Sequence, residues 1–476
     1  MSDLQRVIPI QPAAEDDGGL FSLYQAHQKI HPRAVTGLFA RLRWAAVLFT
    51  QLIFYGLPWL TWNDRQAVLF DLQARKFYLF GVVLWPQDFI YLAGLLVIAA
   101  LSLFFFTAVA GRLWCGYACP QTVYTELFMW IERRIEGDRA ARMKLDAGPW
   151  SFTKARIKAS KHLLWLALAL ATGFTFIGYF APIRELGAQV LAFTLSPWQW
   201  FWMLFYSFAT WGNAGFMREQ VCKYMCPYAR FQSAMFDKDT MIVTYDTARG
   251  EPRGSRSKKA DPSTLGLGAC IDCTLCVQVC PTGIDIRKGL QYECIGCAAC
   301  VDVCDSVMDK MGYARGLVRY ATQNALDRGL GRNEMLRNVL RPRVLVYGAL
   351  LGVLTIALFG SLAMRTPLKV DVIRDRNALS RIVEDGRIEN TYRLVLMNAS
   401  EAPHRLRVTV EGLDGIRVAG PVEFDVAPAS NRAVPVGVQV PPGVGIPGSN
   451  PIRFVVEATD DASLVRREKA AFLIPR

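Results

Sequence analysis

Eight of the twelve cysteines fall between Cys270 and Cys304, in the runs CIDCTLCVQVCP and CIGCAACVDVC. Each run places two, two and then three residues between its cysteines. Paired runs of this spacing are the ligand pattern of two [4Fe–4S] clusters, in which the fourth cysteine of each run crosses to the other cluster. One cluster is therefore expected on Cys270, Cys273, Cys276 and Cys304, and the second on Cys294, Cys297, Cys300 and Cys280. The competing reading is zinc, whose ribbons set their Cys-x-x-Cys pairs well apart. The spacing here fits that poorly. The pattern departs at one place: Pro281 follows Cys280 as expected, but Asp305 follows Cys304 where a proline would stand. One-electron chemistry is the function this segment implies.

The chain of 476 residues is 52% hydrophobic and yet carries a net charge of +13. Long apolar stretches between basic loops explain that combination better than a soluble core. Five stretches approach bilayer length: Trp44–Trp62, Phe89–Ala110, His162–Phe180, Trp198–Phe216 and Val344–Met364. The segment Phe77–Trp85 is too short to span and is expected to lie in the interface or re-enter. Loop 111–161 holds ten Lys and Arg, against one (Arg184) in loop 181–197 and three in loop 63–88. That asymmetry puts the N-terminus, loop 111–161 and the eight-cysteine segment in the cytoplasm, and the C-terminal domain outside. Trp62, Trp85, Trp198 and Trp200 sit near the expected outer ends, as an aromatic belt would. The polar first 40 residues and the length of the first apolar run argue against a cleavable signal peptide. The basic residues track the inner membrane face, so anionic lipid rather than nucleic acid is the expected partner. On this topology all twelve cysteines are cytoplasmic, where thiols stay reduced.

Two segments resemble each other. AGRLWCGYACP places Cys115 and Cys119 before Pro120, and AGFMREQVCKYMCP places Cys222 and Cys226 before Pro227. Each follows an apolar hairpin, which reads as a duplicated unit of two spans. An axis along the membrane normal relates such repeats, and it would bring the four cysteines together at the inner surface. Proline favours the first position of a helix, so Cys119 and Cys226 are expected at helix N-termini, where the dipole lowers a thiol's pKa. Thiolates bind soft metals such as Cu(I). The competing reading is four structural thiols at the interface, with Met225 as apolar packing. His27, His31, His162 and His404 are read as ordinary polar residues.

The expected organisation is a cytoplasmic segment 1–43, a four-span domain 44–237 carrying the repeat, and a basic Pro/Gly/Ser-rich linker 238–269. The two-cluster domain 270–343, a fifth span 344–364 and an outer domain 365–476 follow. MIVTYD in the linker reads as a short strand, and residues 306–343 as basic and partly helical. In the outer domain, runs such as Tyr392–Met397, Leu406–Val410, Val434–Val440 and Ile452–Ala458 alternate between turn residues. About seven short strands suggest an immunoglobulin-like sandwich. Lacking Cys and Trp, it carries no antibody-type hallmark and nothing that looks catalytic; it is read as a partner-binding domain.

This order of parts resembles the CcoG/FixG family, also called the RdxA-type proteins, over nearly the whole chain. LWCGYACPQTVYTELFMWIER, VCKYMCPYARFQSAMFD and the eight-cysteine insert carry the resemblance. It implies a five-span α-helical membrane protein of the bacterial inner membrane, with an inserted ferredoxin-like domain holding two [4Fe–4S] clusters and a periplasmic immunoglobulin-like sandwich. It also implies reduction of Cu(II) to Cu(I) for the copper centre of a cbb-type cytochrome oxidase. Carried residue by residue, the copper role falls on Cys115, Cys119, Cys222 and Cys226. The implied partners are oxidase subunits or copper-delivery proteins and membrane lipid, with a homodimer left open. Without a nucleotide or flavin motif in the chain, a separate cytosolic electron donor is expected. Two alternatives stand beside this: an electron conduit between a quinol or soluble donor and a partner enzyme, and a non-enzymatic assembly scaffold.

Overall fold

The computed structural model describes residues 29–260, 264–375 and 380–475; His27 lies outside them. Nine helices organise the first half. They are α1 (Leu38–Gly56), α2 (Phe89–Ala110), α3 (Leu113–Tyr117), α4 (Pro120–Glu136), α5 (Arg139–Ala147), α6 (Phe152–Ile177), α7 (Ile183–Ala192), α8 (Pro197–Gly212) and α9 (Pro227–Met235). Among the described residues, four helical stretches are long and apolar enough to cross a bilayer: Leu38–Trp59, Pro86–Ala110, Phe152–Ile177 and Pro342–Ala363. Apolar side chains such as Leu52, Ile90, Leu163 and Ile356 stand exposed along them, as contact with lipid requires.

The boundaries differ from the sequence reading in instructive ways. The first span begins at Leu38 rather than Trp44, because Arg43 is buried against Glu126 (3.7 Å) and need not lie outside the helix. The third begins at Phe152 rather than His162. Ser151 accepts a hydrogen bond from the Lys154 amide (3.2 Å), starting the helix early. Its basic first turns then find acidic partners: Lys158 reaches Glu136 (2.8 Å) and Asp146 (2.5 Å), and Lys161 reaches Glu136 (2.9 Å). The expected stretch Trp198–Phe216 is not one continuous α-helix. The 16 residues of α8, about 24 Å long at 1.5 Å per residue, run into a π-helical turn, Asn213–Met217. Helices α6 and α8 form a close pair: Gly173 lies against the Met203 carbonyl and the Ser207 side chain, where no Cβ would fit.

Phe77–Trp85 is built of short strands rather than helix. Val68–Asp71, Lys76–Leu79 and Val82–Leu84 form a three-stranded antiparallel ribbon between α1 and α2. Its side chains Val83 and Trp85 are buried with Met397 and Ala399 of the C-terminal domain. Polar ties frame that contact: Lys76 Nζ donates to the Ala429 carbonyl (2.8 Å), Gln87 to Asp371 (2.7 Å), and Arg65 pairs with Glu401.

The strand expected at MIVTYD is present as Ile242–Tyr245, paired antiparallel with Val318–Ala321. Together with the helix Ala299–Met311 it encloses a small core that includes Val301, Met308 and Leu317. The last domain is a sandwich of two antiparallel sheets. One runs in the order Arg417–Ala419, Ser430–Val440, Ile388–Asn398, Leu368–Arg374. The other runs Glu423–Val426, His404–Glu411, Gly448–Ala458, Val465–Ile474. Alternating residues of both inner faces, among them Leu394, Leu396, Val408, Val436, Phe454 and Phe472, are buried between the sheets.

Candidate electron-transfer site

The eight clustered cysteines surround two cavities. Cys270, Cys273, Cys276 and Cys304 line one of about 390 Å³, together with Tyr245 and Arg287. Cys280, Cys294, Cys297 and Cys300 line another of about 350 Å³; Cys276 also borders it. The crossing read from the spacing is thus reproduced in space, with Cys304 beside the first run and Cys280 beside the second. Local backbone explains how. Asp272 (φ 51°) and Thr274 (φ 55°) in the first loop correspond to Gly296 (φ 68°) and Ala298 (φ 56°) in the second. The positive φ falls at the same two places in each loop, so the two cysteine runs turn alike. Short helices then start at Leu275 and Ala299.

The donor set fits an iron–sulfur cluster. The first cavity is lined by four thiols and the second by five, Cys276 bordering both, and among the described residues no three His, Cys, Asp or Glu side chains converge on one point as a single ion would require. Burial pushes the bare thiols of Cys294 and Cys304 up to about 12. A thiolate-ligated cluster would replace those buried protons.

The duplicated motif lies directly above the second cavity. Cys119 and Cys226 cap helices α4 and α9, each followed by proline at the first helical position. Cys115 and Cys222 pack on the apolar shell of Ile295 and Cys297. Gly116 is the close-approach point: a Cβ there would stand 2.9 Å from the Ile295 carbonyl and 3.0 Å from Cys297 Cα. A third cavity, about 400 Å³, has both Cys222 and Cys297 in its wall. Arg112 donates to the carbonyls of Tyr292 and Ala229, tying the second cysteine loop to α9. The two halves of the repeat exchange partners. Gln121 of the first unit donates to the Asn213 (3.0 Å) and Arg218 (3.1 Å) carbonyls of the second, while Gln232 of the second accepts from the Cys115 thiol (3.3 Å). Electrostatic coupling links Cys115 to Cys119, Cys222 and Cys226, so the structure gathers all four near one another.

One expectation fails here. The helix N-terminus does not make Cys119 acidic. Burial raises its pKa, and the Gln121 and Thr122 amides that donate to it offset this only in part. Burial likewise pushes Cys115 up to about 12 and Cys222 up to about 11. The dipole term is a few tenths to one kcal/mol when exposed, and a largely buried thiolate loses more than that in solvation.

Several residues were not visible as functional in the sequence. Asp302, between Cys300 and Cys304, accepts from the Phe39 (3.1 Å) and Ala40 (2.7 Å) amides and so caps α1 from the cysteine-rich helix. Glu132 accepts from Arg142 (2.9 Å) and Arg218 (3.0 Å), all three buried. Burial pushes the Glu132 carboxyl up, but Arg218, Arg142 and Lys161 outweigh it and hold the group below its usual range. These pairings join residues 10 and 86 positions apart, which no local pattern reveals. His31 stands 3.6 Å from Asp146, His404 2.8 Å from Asp460, and His162 packs among Trp165, Trp211 and Phe216. None of them meets the cysteines.

Comparison with known proteins agrees with this layout. Residues 217–323 match a 4Fe-4S dicluster domain, 92–137 a 4Fe-4S binding domain, and 358–475 the IG-like fold at the C-terminus of FixG. The nitrogen fixation protein FixG of Rhizobium meliloti is 42% identical over 450 residues, covering 88% of this chain and 85% of that protein. RdxB of Cereibacter sphaeroides is 41% identical (90% and 92% covered), and RdxA of the same organism 41% (86% and 88%).

Proposed function

The chain belongs to the FixG/RdxA family of iron–sulfur proteins, and from that premise we propose that it is a membrane-bound reductase taking Cu(II) to Cu(I) for the copper centre of a cbb-type oxidase. The observation that carries the reading is the seating of the motif on the second cysteine loop, where Cys115 and Cys222 pack on the shell of Ile295 and Cys297 and Gly116 lies against Cys297. When bound, two [4Fe–4S] clusters supply single-electron steps, the unit that copper reduction needs. Cys270, Cys273, Cys276 and Cys304 would hold one, and Cys294, Cys297, Cys300 and Cys280 the other. Cys115, Cys119, Cys222 and Cys226 would receive copper, the substrate, through soft sulfur that favours the reduced ion. Burial keeps Cys115, Cys119 and Cys222 protonated, so each of these that takes copper releases a proton. Arg112 and Gln232 position the two motif loops on either side.

The proposed arrangement has five spans in a bacterial inner membrane, with α8 and its π-turn as the fourth. The N-terminus and clusters are cytoplasmic and the sandwich periplasmic. Contact of the ribbon with the sandwich, and of α1's N-terminus with Asp302, supports placing these pairs on opposite sides.

The test is to reduce anaerobically purified protein chemically, add Cu(II), and follow cluster reoxidation together with trapped Cu(I). Matching electron counts support the reading, as does loss of copper reduction in Cys119→Ala with its iron content unchanged. Reduced protein that ignores Cu(II) sinks it. A second reading is favoured by the 4Fe-4S match over 92–137, which includes Cys115 and Cys119. The four motif thiols would then hold a third cluster. Iron analysis separates the two, at about eight or about twelve iron atoms per chain for two or three clusters of four.

A further inference from the structure

A cavity of about 420 Å³ opens between α1, α4, α6 and α8, within the roughly 300–1,000 Å³ usual for small-molecule sites. At its inner end are Ala118, Pro120 and Gln121, the residues around Cys119; further in it is walled by Phe54, Phe176 and Tyr206. Three of its four walls are helices that carry the bilayer-crossing stretches or pack against them, so an occupant arrives from lipid.

Gln51, Tyr124 and Thr172 supply polar groups to its wall, and Thr172 shares a hydrogen bond with Tyr55 (2.7 Å). The side-chain oxygen of Gln51 is buried without a hydrogen-bond partner. An unsatisfied buried acceptor is destabilising, and a ligand hydroxyl would satisfy it. No Cys, Met or His lines this space, so it is not built to pass a soft metal ion. Aromatic walls and hydrogen-bonding oxygen and amide groups instead suit a flat ring with hydroxyl or carbonyl oxygens.

We propose that this cavity binds a membrane quinol, and that the quinol, not a cytosolic protein, is the reductant for the motif beside it. The redox half of this rests on the copper-reduction reading; the binding half does not. Oxidation of one quinol breaks two O–H bonds, gives the quinone, and releases two electrons and two protons. Two Cu(II) ions take the electrons to become two Cu(I), and the protons pass to water at the inner surface past Gln121 and Asn213.

The test uses the full chain in nanodiscs with an azidoquinone as photoprobe and decylubiquinone as competitor. Labelled peptides should map to α1 and α4 around Gln51 and Tyr124, and decylubiquinone should suppress them. Ala209→Trp, which fills the cavity, should cut labelling at least tenfold at unchanged iron content. Gln51→Leu should weaken it several-fold and serves if the larger variant misfolds. Labelling elsewhere, labelling suppressed only by phospholipid, or labelling indifferent to both variants overturns the site. Copper reduction by chemically reduced protein, read alongside, separates the two proposals. If it fails while labelling holds, the copper reading falls and the site stands. If it succeeds but decylubiquinol supports no reduction of Cu(II), the quinol is not the donor.

Discussion

Replacing Asp302 by alanine should loosen the start of the first membrane helix without touching a cysteine. Its carboxylate accepts from the Phe39 and Ala40 amides, and the side chain is 7% exposed. Removal strands the buried Ala40 N–H and the partly buried Phe39 N–H. At about 1–3 kcal/mol each, the local cost is at least about 2 kcal/mol, consistent with the upper range for loss of an N-cap. Since 1.36 kcal/mol is tenfold in an equilibrium constant, amide exchange over Leu38–Leu42 should accelerate at least about thirtyfold. Hydrogen-exchange mass spectrometry on the iron-loaded protein reads this directly. Asp302→Asn should fall between, because one acceptor oxygen survives. The sandwich supplies the internal control: peptides from Ile388–Asn398 should exchange as in the parent. Unchanged exchange at Phe39 and Ala40 in Asp302→Ala would refute the claim that the cysteine-rich helix holds α1.

Gly116→Ala puts a methyl 2.9 Å from the Ile295 carbonyl, an overpacking of about 1–3 kcal/mol. Electron paramagnetic resonance should show the signal of the Cys294–Cys300 cluster perturbed or lost and the other retained. Glu132→Gln leaves Arg142 and Arg218 buried without their carboxylate, at roughly 3–5 kcal/mol, so thermal stability and yield of folded protein should drop sharply. Near the first cavity, the Arg287 hydrogen bond holds the Asp285 carboxyl below its usual value. A depressed folded pKa gives stability that is present above the unfolded value, near 4, and is lost as pH falls through the folded one. Cluster retention, followed by visible absorbance, should therefore show no pH dependence from this pair down to about pH 4, whereas Asp285→Asn should lower retention at neutral pH and flatten the fall below about pH 4.

The parts set by covalent spacing were readable from the chain. The grouping of eight cysteines around two cavities follows from two repeated loops, and apolar length identified α2 and the last span. Paired prolines foretold the helix starts at Pro120 and Pro227. What escaped was long-range. Lys154, Lys158 and Lys161 read as loop charge because their partners Glu136 and Asp146 sit on other helices. The ribbon hid because strands of three or four residues beside a membrane span look like a broken apolar stretch. The acidity expected of Cys119 failed for a related reason: helix position is local, whereas burial depends on the cysteine loop folded beneath it.

The ribbon also sets an order on biogenesis. It is made early, between the first two spans, yet Val83 and Trp85 are buried with Met397 and Ala399, more than 300 residues later. A chain that stops after the last span leaves that apolar face bare, a mark by which quality-control proteases would tell unfinished copies from complete ones.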